Sequence, residues 1–94
     1  MRKFKIVVRE ESKNGVNEHT FLGVTGETGD DDVDMGESVE AVVIAVCRAL
    51  IPGFEYKGFT ADELDESTDE NGNVTVSIPF IHEPKCSVQG IWLD

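Results

Sequence analysis

The chain opens with an alternation of apolar and polar residues. Phe4, Ile6 and Val8 fall on one side of the backbone, and Lys3, Lys5, Val7 and Arg9 fall on the other. A repeat of two predicts a β-strand over Lys3–Arg9. A second apolar and polar segment predicts another strand over about Val16–Thr25.

Asn14-Gly15 lies between these two segments and predicts a hairpin. Both central residues of a tight two-residue hairpin turn need positive φ, which asparagine and glycine tolerate. A turn at these two residues would place Val8 opposite Phe21 and Ile6 opposite Gly23. We therefore expect the first part of the chain to form a β-hairpin.

A helical repeat follows an expected loop at Gly26–Gly36. Asp34 or Ser38 would cap the start of this helix, and Pro52-Gly53 would end it. Its apolar residues recur at intervals of three and four, which describes one face of a helix; they are Val39, Val42, Val43, Val46, Ala49 and Leu50. Valine is a mediocre helix former, so the helix should depend on packing against a sheet.

The second half of the chain predicts two further strands and a candidate third. Phe54–Phe59 could form a short strand, and Thr60–Asn73 is an acidic stretch. Alternation returns over Val74–Ile81 and again over Cys86–Leu93. The predicted fold class is α+β, with one domain over residues 1–94. A small antiparallel sheet of four to five strands would carry one helix on one face, in the order β-β-α-(β)-β-β.

Charge is the most distinctive property of the composition. Nineteen acidic residues oppose eight basic ones among 94 residues, for a net charge of −11. Residues 1–13 carry five bases and two acids, a net of +3, so the remaining residues carry −14. Such a field repels nucleic acid and attracts basic surfaces, although solubility alone also accounts for an acidic composition.

The apolar segments are short. No apolar run approaches the roughly 20 residues that span a bilayer, and the interrupted N-terminal stretch is not typical of a signal peptide. We therefore expect a cytoplasmic protein with no membrane partner. Cys47 and Cys86 lack CxxC spacing and are expected to be reduced, partly buried thiols.

Acidic residues concentrate in two stretches. The first acid cluster is Asp30, Asp31, Asp32, Asp34, Glu37 and Glu40, and the second acid cluster is Asp65, Glu66, Asp69 and Glu70. Carboxylates a few ångströms apart present the same sign of charge to Lys and Arg side chains as DNA phosphates do. These ten residues are the candidate partner-binding site, and two solvated loops are the alternative interpretation.

Other chemistries find little support in the sequence. A partial calcium-loop pattern begins at Ser67, but Ser67 and Ile78 occupy its first and twelfth positions, where carboxylates are needed. His19 and His82 lack the spacing of a catalytic triad or a zinc site, and no glycine-rich phosphate loop is present. The sequence therefore predicts a protein without enzymatic activity, catalytic residues, metal or cofactor.

The aromatic residues divide into two groups. Phe21, Phe80 and Trp92 are expected in the core. The three aromatic residues between Phe54 and Phe59 lie between the helix and the acidic stretch. They could form an exposed apolar patch beside the charge, a combination that suits a protein interface.

Two short motifs carry a resemblance to a known family. They are Asp65-Glu66-Ser67-Thr68-Asp69-Glu70-Asn71 and Glu37-Ser38-Val39. The first looks like a segment of the phage uracil-DNA glycosylase inhibitor family, and the second resembles that family's Glu-Ser-Ile. Those inhibitors are small acidic α+β proteins that mimic DNA, so the resemblance implies a similar role here, with Glu37 at the contact. In general character the chain is also similar to small acidic phage inhibitors, including anti-CRISPR proteins.

Two functional hypotheses follow from these observations. The first is a non-enzymatic inhibitor of phage or mobile-element type. It would dock by DNA mimicry on a basic nucleic-acid-binding protein without contacting nucleic acid itself. The second is an assembly module that forms a homodimer or adds a strand to a partner's sheet, for which Cys86–Leu93 is the expected edge. Salt should weaken charge-driven binding steeply and barely change strand addition.

Overall fold

The described residues of the chain, 1–26 and 28–94, form one helix and five strands in a computed structural model. The elements are β1 (Lys3–Ser12), β2 (Gly15–Val24), α1 (Asp31–Leu50), β3 (Asp65–Thr68), β4 (Val74–Ile78) and β5 (Lys85–Trp92). The strands pair antiparallel in one sheet with the order β2-β1-β5-β4-β3. The predicted α+β class and the predicted order of elements are confirmed.

β1 and β2 form the expected hairpin, but its turn lies one residue earlier than predicted. Ser12 pairs with Gly15, and Ile6 pairs with Phe21. The predicted partners of Ile6 and Val8 were therefore wrong by two positions along β2. The reason is that positive φ, 133°, falls on Gly15 and on no non-glycine residue of the described chain. Because the shift is an even number of residues, each side chain keeps its predicted face.

α1 begins earlier than predicted because Asp30 caps it. The Asp30 carboxylate accepts hydrogen bonds from the N–H groups of Asp32 at 3.1 Å and Val33 at 3.3 Å. These N–H groups have no partner within the helix, so the cap stabilises the first turn. Asp34 and Ser38, the predicted caps, lie inside the helix. Within the described part of the chain, no helix has the length and apolarity needed to cross a membrane.

One face of the sheet packs on α1, and the opposite face, which we call the open face, does not. The core draws buried apolar side chains from β1, α1, β4 and β5, among which Cys47 and Val88 have no exposed surface. α1 lies close to the sheet at Gly90 of β5, where a Cβ atom would lie 2.8 Å from Cγ2 of Val39. Gly90 therefore sets the depth at which α1 lies on the sheet.

The segment between α1 and β3 contains no strand. Phe54–Phe59, the candidate strand, is irregular, and the additional strand is β3, inside the acidic stretch. Phe54, Phe59 and Leu64 are partly buried against the core. Their apolar side chains, and not a β ladder, hold this segment in place, which is why a prediction from strand propensity failed here.

The final strand is central, which contradicts its predicted role as an edge. β5 pairs with β1 on one side and with β4 on the other. Both of its hydrogen-bonding edges are therefore used, and it cannot add to a partner's sheet. The edges of the sheet are β2 and β3.

Two aromatic side chains expected in the core are exposed. Phe21 on β2 has 53% of its surface exposed, and Phe80 has 36%. Trp92 is half-buried, which is nearer to its expected place in the core. Its ring makes an edge-to-face contact with Phe4, with the ring centroids 5.8 Å apart. Phe21 is exposed because β2 is an edge strand and a groove separates it from α1.

Candidate functional site

Two residues of the first acid cluster fix the start of α1. Asp30 caps the helix, and Asp34 is buried, with 8% of its surface exposed. One oxygen of Asp34 accepts a hydrogen bond from Gly26 N at 2.8 Å, and the other accepts from Thr28 N at 3.2 Å and Thr28 Oγ1 at 2.7 Å. These bonds attach the connection that follows β2 to the first turn of α1. Asp34 therefore has a structural role and offers little surface to a partner.

One residue of the second acid cluster builds the turn between β3 and β4. Asp69 Oδ1 accepts hydrogen bonds from Asn71 N at 2.8 Å and Asn73 N at 3.0 Å. The hydrogen bond from the backbone of Asn73 is the main reason that the pKa of Asp69 is lowered, and the bond from Asn71 acts in the same direction. Gly72 takes a positive φ of 80° in this turn. Asn71 and Gly72 therefore lie in a tight turn that Asp69 stabilises.

Members of both acid clusters meet at a groove between α1 and the strands β3 and β4. Glu40 comes from the first cluster, and Asp65 and Glu66 come from the second. The apolar part of the lining includes Val39, Val43, Phe59, Leu64, Val74 and Val76. The groove has a volume of about 740 Å³. We call it the acidic groove, because carboxylates border an apolar wall.

Tyr56 joins the acidic groove to a group of stacked aromatic rings. Its hydroxyl donates a hydrogen bond to Glu40 Oε1. This bond, with smaller contributions from burial and from the charge of Glu40, raises the pKa of Tyr56. The Tyr56 ring lies 5.2 Å from that of Phe59, which also stacks with Phe54 and Phe80 at 6.4 and 6.5 Å. The rings thus form a partly exposed apolar surface beside the carboxylates.

Gly36 leaves the backbone of α1 open to the acidic groove. It lines the groove, and a Cβ atom at this position would meet nothing within 4 Å. Glycine inside a helix costs about 1 kcal/mol relative to alanine. No contact within the described chain requires glycine here, so its effect is to widen the groove.

The other predicted site residues do not line the groove. Asp32, Glu37 and Glu70 are exposed, and Asp31 is half-buried at the start of α1. The structure therefore divides the ten predicted residues into three groups. Three line the groove, and three stabilise a cap, a loop or a turn. The last four lie outside the groove, three of them exposed and Asp31 half-buried. Glu37, singled out by the family resemblance, belongs to the last group.

The basic residues of β1 lie on the open face of the sheet. Lys3, Lys5 and Arg9 alternate with the core residues of the strand. Residues 1–25 carry five bases and three acids, a net of +2, so residues 26–94 carry −13. The chain is therefore electrostatically divided, because 16 of its 19 acids follow the hairpin in the sequence.

The remaining polar chemistry is limited. Within residues 1–26 and 28–94, no group of three or more His, Cys, Asp or Glu side chains is placed to hold a metal ion. Cys47 and Cys86 are free and buried, and burial raises the pKa of both thiols. Because the thiolate is the reactive form, these are weak nucleophiles at neutral pH.

Sequence reasoning left Gly36, Tyr56 and Phe59 out of the predicted site. The aromatic residues did give a signal, since their position beside the acidic stretch suggested an apolar patch. Gly36 gave none, because its role depends on the strands that α1 faces. Comparison of the chain with protein-family models, curated proteins and solved structures gave no match.

Proposed function

We propose that this chain is a non-enzymatic acidic binding protein of the cytoplasm. It docks on a basic nucleic-acid-binding protein and blocks the surface that DNA would occupy, in the manner of phage or mobile-element inhibitors. It needs no cofactor and does not contact nucleic acid directly. The observation that carries this proposal is the meeting of Glu40, Asp65 and Glu66 around one apolar-walled groove.

The lining of the acidic groove suits long cationic side chains. Lysine and arginine combine an apolar stem with a charged head, so the stem packs on an apolar wall while the head pairs with a carboxylate. Val39 and Val43 supply such a wall, and Tyr56 and Phe59 supply ring faces that attract a guanidinium. DNA-binding surfaces are rich in these two side chains.

The charge of the whole chain supports the same partner. A net −13 over residues 26–94 attracts a basic surface from a distance and speeds the encounter. The open face carries the basic residues of β1, so the attraction also orients the chain with α1 and the β3 edge toward the partner. Steering of this kind affects the association rate more than the dissociation rate.

The test begins with capture of the tagged full chain from host-cell lysate at low and high salt, followed by mass spectrometry. A basic nucleic-acid-binding protein should be enriched at low salt, and its binding should be weaker at high salt. Its affinity is then measured for the chain and for a triple variant, Glu40→Gln, Asp65→Asn and Glu66→Gln. We expect the triple variant to bind at least about tenfold more weakly, because several close charge pairs are lost.

A matched control removes three charges elsewhere. Glu11→Gln, Glu55→Gln and Glu83→Gln change the net charge from −11 to −8, the same change as in the groove variant, at exposed positions outside the groove. We expect this control to weaken binding by less than about threefold. Equal losses for the two triple variants would contradict docking through the groove. Capture of no basic nucleic-acid-binding protein would contradict the proposed function itself.

A further inference from the structure

The outer edge of β2 is long and unprotected. Natural sheets protect their edges with proline, lysine, bulges or short strands, because a free row of N–H and C=O groups pairs readily with another chain. β2 has ten residues and contains no proline or lysine, and it pairs with β1 without a bulge. Four of its side chains are large, apolar and 47–80% exposed: Val16, Phe21, Leu22 and Val24.

The hydrogen bonding of the hairpin fixes which groups of β2 face outward. Thr25 N donates to Arg2 O at 2.9 Å, so odd-numbered residues bond to β1. In an antiparallel ladder the direction of bonding alternates along the strand, so even-numbered residues present their N–H and C=O groups at the free edge. The outward residues are Val16, Glu18, Thr20, Leu22 and Val24.

We infer that β2 pairs antiparallel with β2 of a second copy of this chain, with Thr20 opposite Thr20 at a two-fold axis. The five outward residues are centred on Thr20. In this register each outward residue of one copy pairs with an outward residue of the other, with Val16 opposite Val24 and Glu18 opposite Leu22. Each of the five N–H groups on each of two strands finds a carbonyl, which makes ten hydrogen bonds across the seam.

Charge opposes a second copy less at this edge than at the acidic surfaces of the chain. Two molecules of −11 repel each other over most of their surfaces, but residues 1–25 carry a net of +2. The only ionisable side chains on β2 are Glu18 and His19, and in this register Glu18 faces Leu22 of the second copy and not another acid. The other edge, β3, is flanked by acids and would bring carboxylates together.

An apolar groove beside β2 points to the same interface. It lies between α1 and β2, has a volume of about 410 Å³, and is lined chiefly by Phe21, Val42, Ala45, Val46, Ala49 and Leu50. Directly opposed residues of an antiparallel pair share a face, so both helices lie on the same side of the joined sheet. The two grooves then flank the seam, and Phe21 of each copy lies opposite His19 of the other.

The joined sheet has ten strands, five from each copy, and presents both acidic grooves on one side. This pairing does not depend on what the acidic groove binds. If the proposed function also holds, the dimer offers two equivalent docking sites, and linked sites raise the overall affinity without any new contact.

The first test is the mass of the full chain in solution. Sedimentation equilibrium from about 5 µM to about 200 µM spans the affinities expected of a modest interface. We expect the mass to rise from 10.3 kDa toward twice that value as the concentration increases. A mass of 10.3 kDa at every concentration would overturn the pairing.

Thr20→Pro and Thr20→Ala test the edge. Proline at position 20 removes an N–H that points outward and leaves the bonds to β1 in place, whereas alanine retains that N–H. We expect Thr20→Pro to weaken the dimer at least about tenfold, because hydrogen bonds across the seam are lost and the proline rings clash at the axis. Thr20→Ala should change the dimer little. Should circular dichroism show that Thr20→Pro is misfolded, Thr20→Lys places two like charges opposite each other and serves in its place. A dimer that persists in the folded variant contradicts the inference.

A cross-link tests the register. Opposed hydrogen-bonded residues have Cα atoms about 5.5 Å apart, within the range of a disulfide, so Thr20→Cys should form a covalent dimer under mild oxidation. In Val24→Cys the two new thiols lie eight residues apart along the seam, about 26 Å, and should not cross-link. Cys47 and Cys86 are buried and contribute little. Equal cross-linking of both variants would overturn the proposed register.

Discussion

The two edges of the sheet differ in length, charge and side-chain character. β2 has ten residues with one acid and four exposed large apolar side chains. β3 has four residues, begins with Asp65-Glu66, and is followed by Asp69 and Glu70. Shortness and charge are the usual means by which a sheet avoids unwanted strand pairing. The β3 edge has both, whereas the β2 edge is long and carries a single acid, Glu18.

This difference teaches that the net charge of the chain conceals two surfaces of different chemistry. The acidic groove and the β3 edge suit a basic partner that arrives by long-range attraction. The β2 edge suits a partner that supplies hydrogen bonds and apolar contacts at short range. A single value of −11 describes neither surface, because the hairpin has a net charge of opposite sign to the rest of the chain.

Salt should separate the two surfaces most strongly. Raising NaCl from about 50 mM to about 300 mM shortens the screening length from about 14 Å to less than 6 Å. We expect binding of the basic partner to weaken at least about tenfold, and the dissociation constant of the dimer to change by less than about threefold. Both are measured in parallel by calorimetry and sedimentation. A dimer that dissociates as steeply as the partner complex would erase the distinction between the surfaces.

Asp34 should be the acid whose loss costs the most stability. Asp34→Ala leaves the N–H groups of Gly26 and Thr28 without their acceptor at the junction between the hairpin and α1. We expect a loss of about 2–4 kcal/mol in the free energy of unfolding, measured by urea denaturation. Asp32→Ala, at an exposed position on the same turn of α1, is the control and should change it by less than about 0.5 kcal/mol. Equal losses would mean that Asp34 is not a structural acid.

The two edges share one core, and substitutions at two glycines test how α1 packs on it. At Gly90 a methyl group would lie 2.8 Å from Val39 Cγ2 and 3.2 Å from Met35 Cγ, so Gly90→Ala should destabilise the fold by about 1–3 kcal/mol. At Gly36 the space is empty, so Gly36→Ala should stabilise α1 by up to about 1 kcal/mol. Thermal unfolding measures both. Shifts of the same sign would contradict the described packing of α1.

The smallest expected effect concerns Tyr56, the sole tyrosine of the chain. Its pKa is raised by the hydrogen bond to Glu40, so its ultraviolet titration should have a midpoint above the usual value of about 10. The stability that this bond contributes is complete below that usual value and is lost as pH rises through the folded-state pKa. Glu40→Gln should move the midpoint down. A midpoint unchanged by Glu40→Gln would show that the bond does not form in solution.

Local patterns predicted the elements but not all of their boundaries. The repeat of two found β1, β2, β4 and β5, and the helical repeat found α1, because these periodicities follow from backbone geometry within each segment. The start of α1 was predicted too late, because the residues before Gly36 show no apolar periodicity, although Asp30 is of a residue type that caps helices. β3 has no apolar alternation, and it forms because its backbone pairs antiparallel with that of β4.

The candidate site was predicted in part. Both acid clusters were visible as charge runs, yet nothing in a charge run separates Asp34, buried in a network of hydrogen bonds, from Glu40, which lines a groove. That distinction depends on which residues lie within a few ångströms after folding. Glu37 matched a family motif and still faces solvent outside the groove.

The sequence by itself determined the fold class, the order of elements, the hairpin and the concentration of acids, because these depend on composition and on short-range periodicity. Tertiary structure alone decided that the first and last strands pair, with Phe4 opposite Trp92. Pairing over such a separation depends on which faces bury together on α1, and no local period encodes it. That one pairing makes β5 central, leaves β2 and β3 as edges, and so decides which surfaces of this acidic chain can meet a partner.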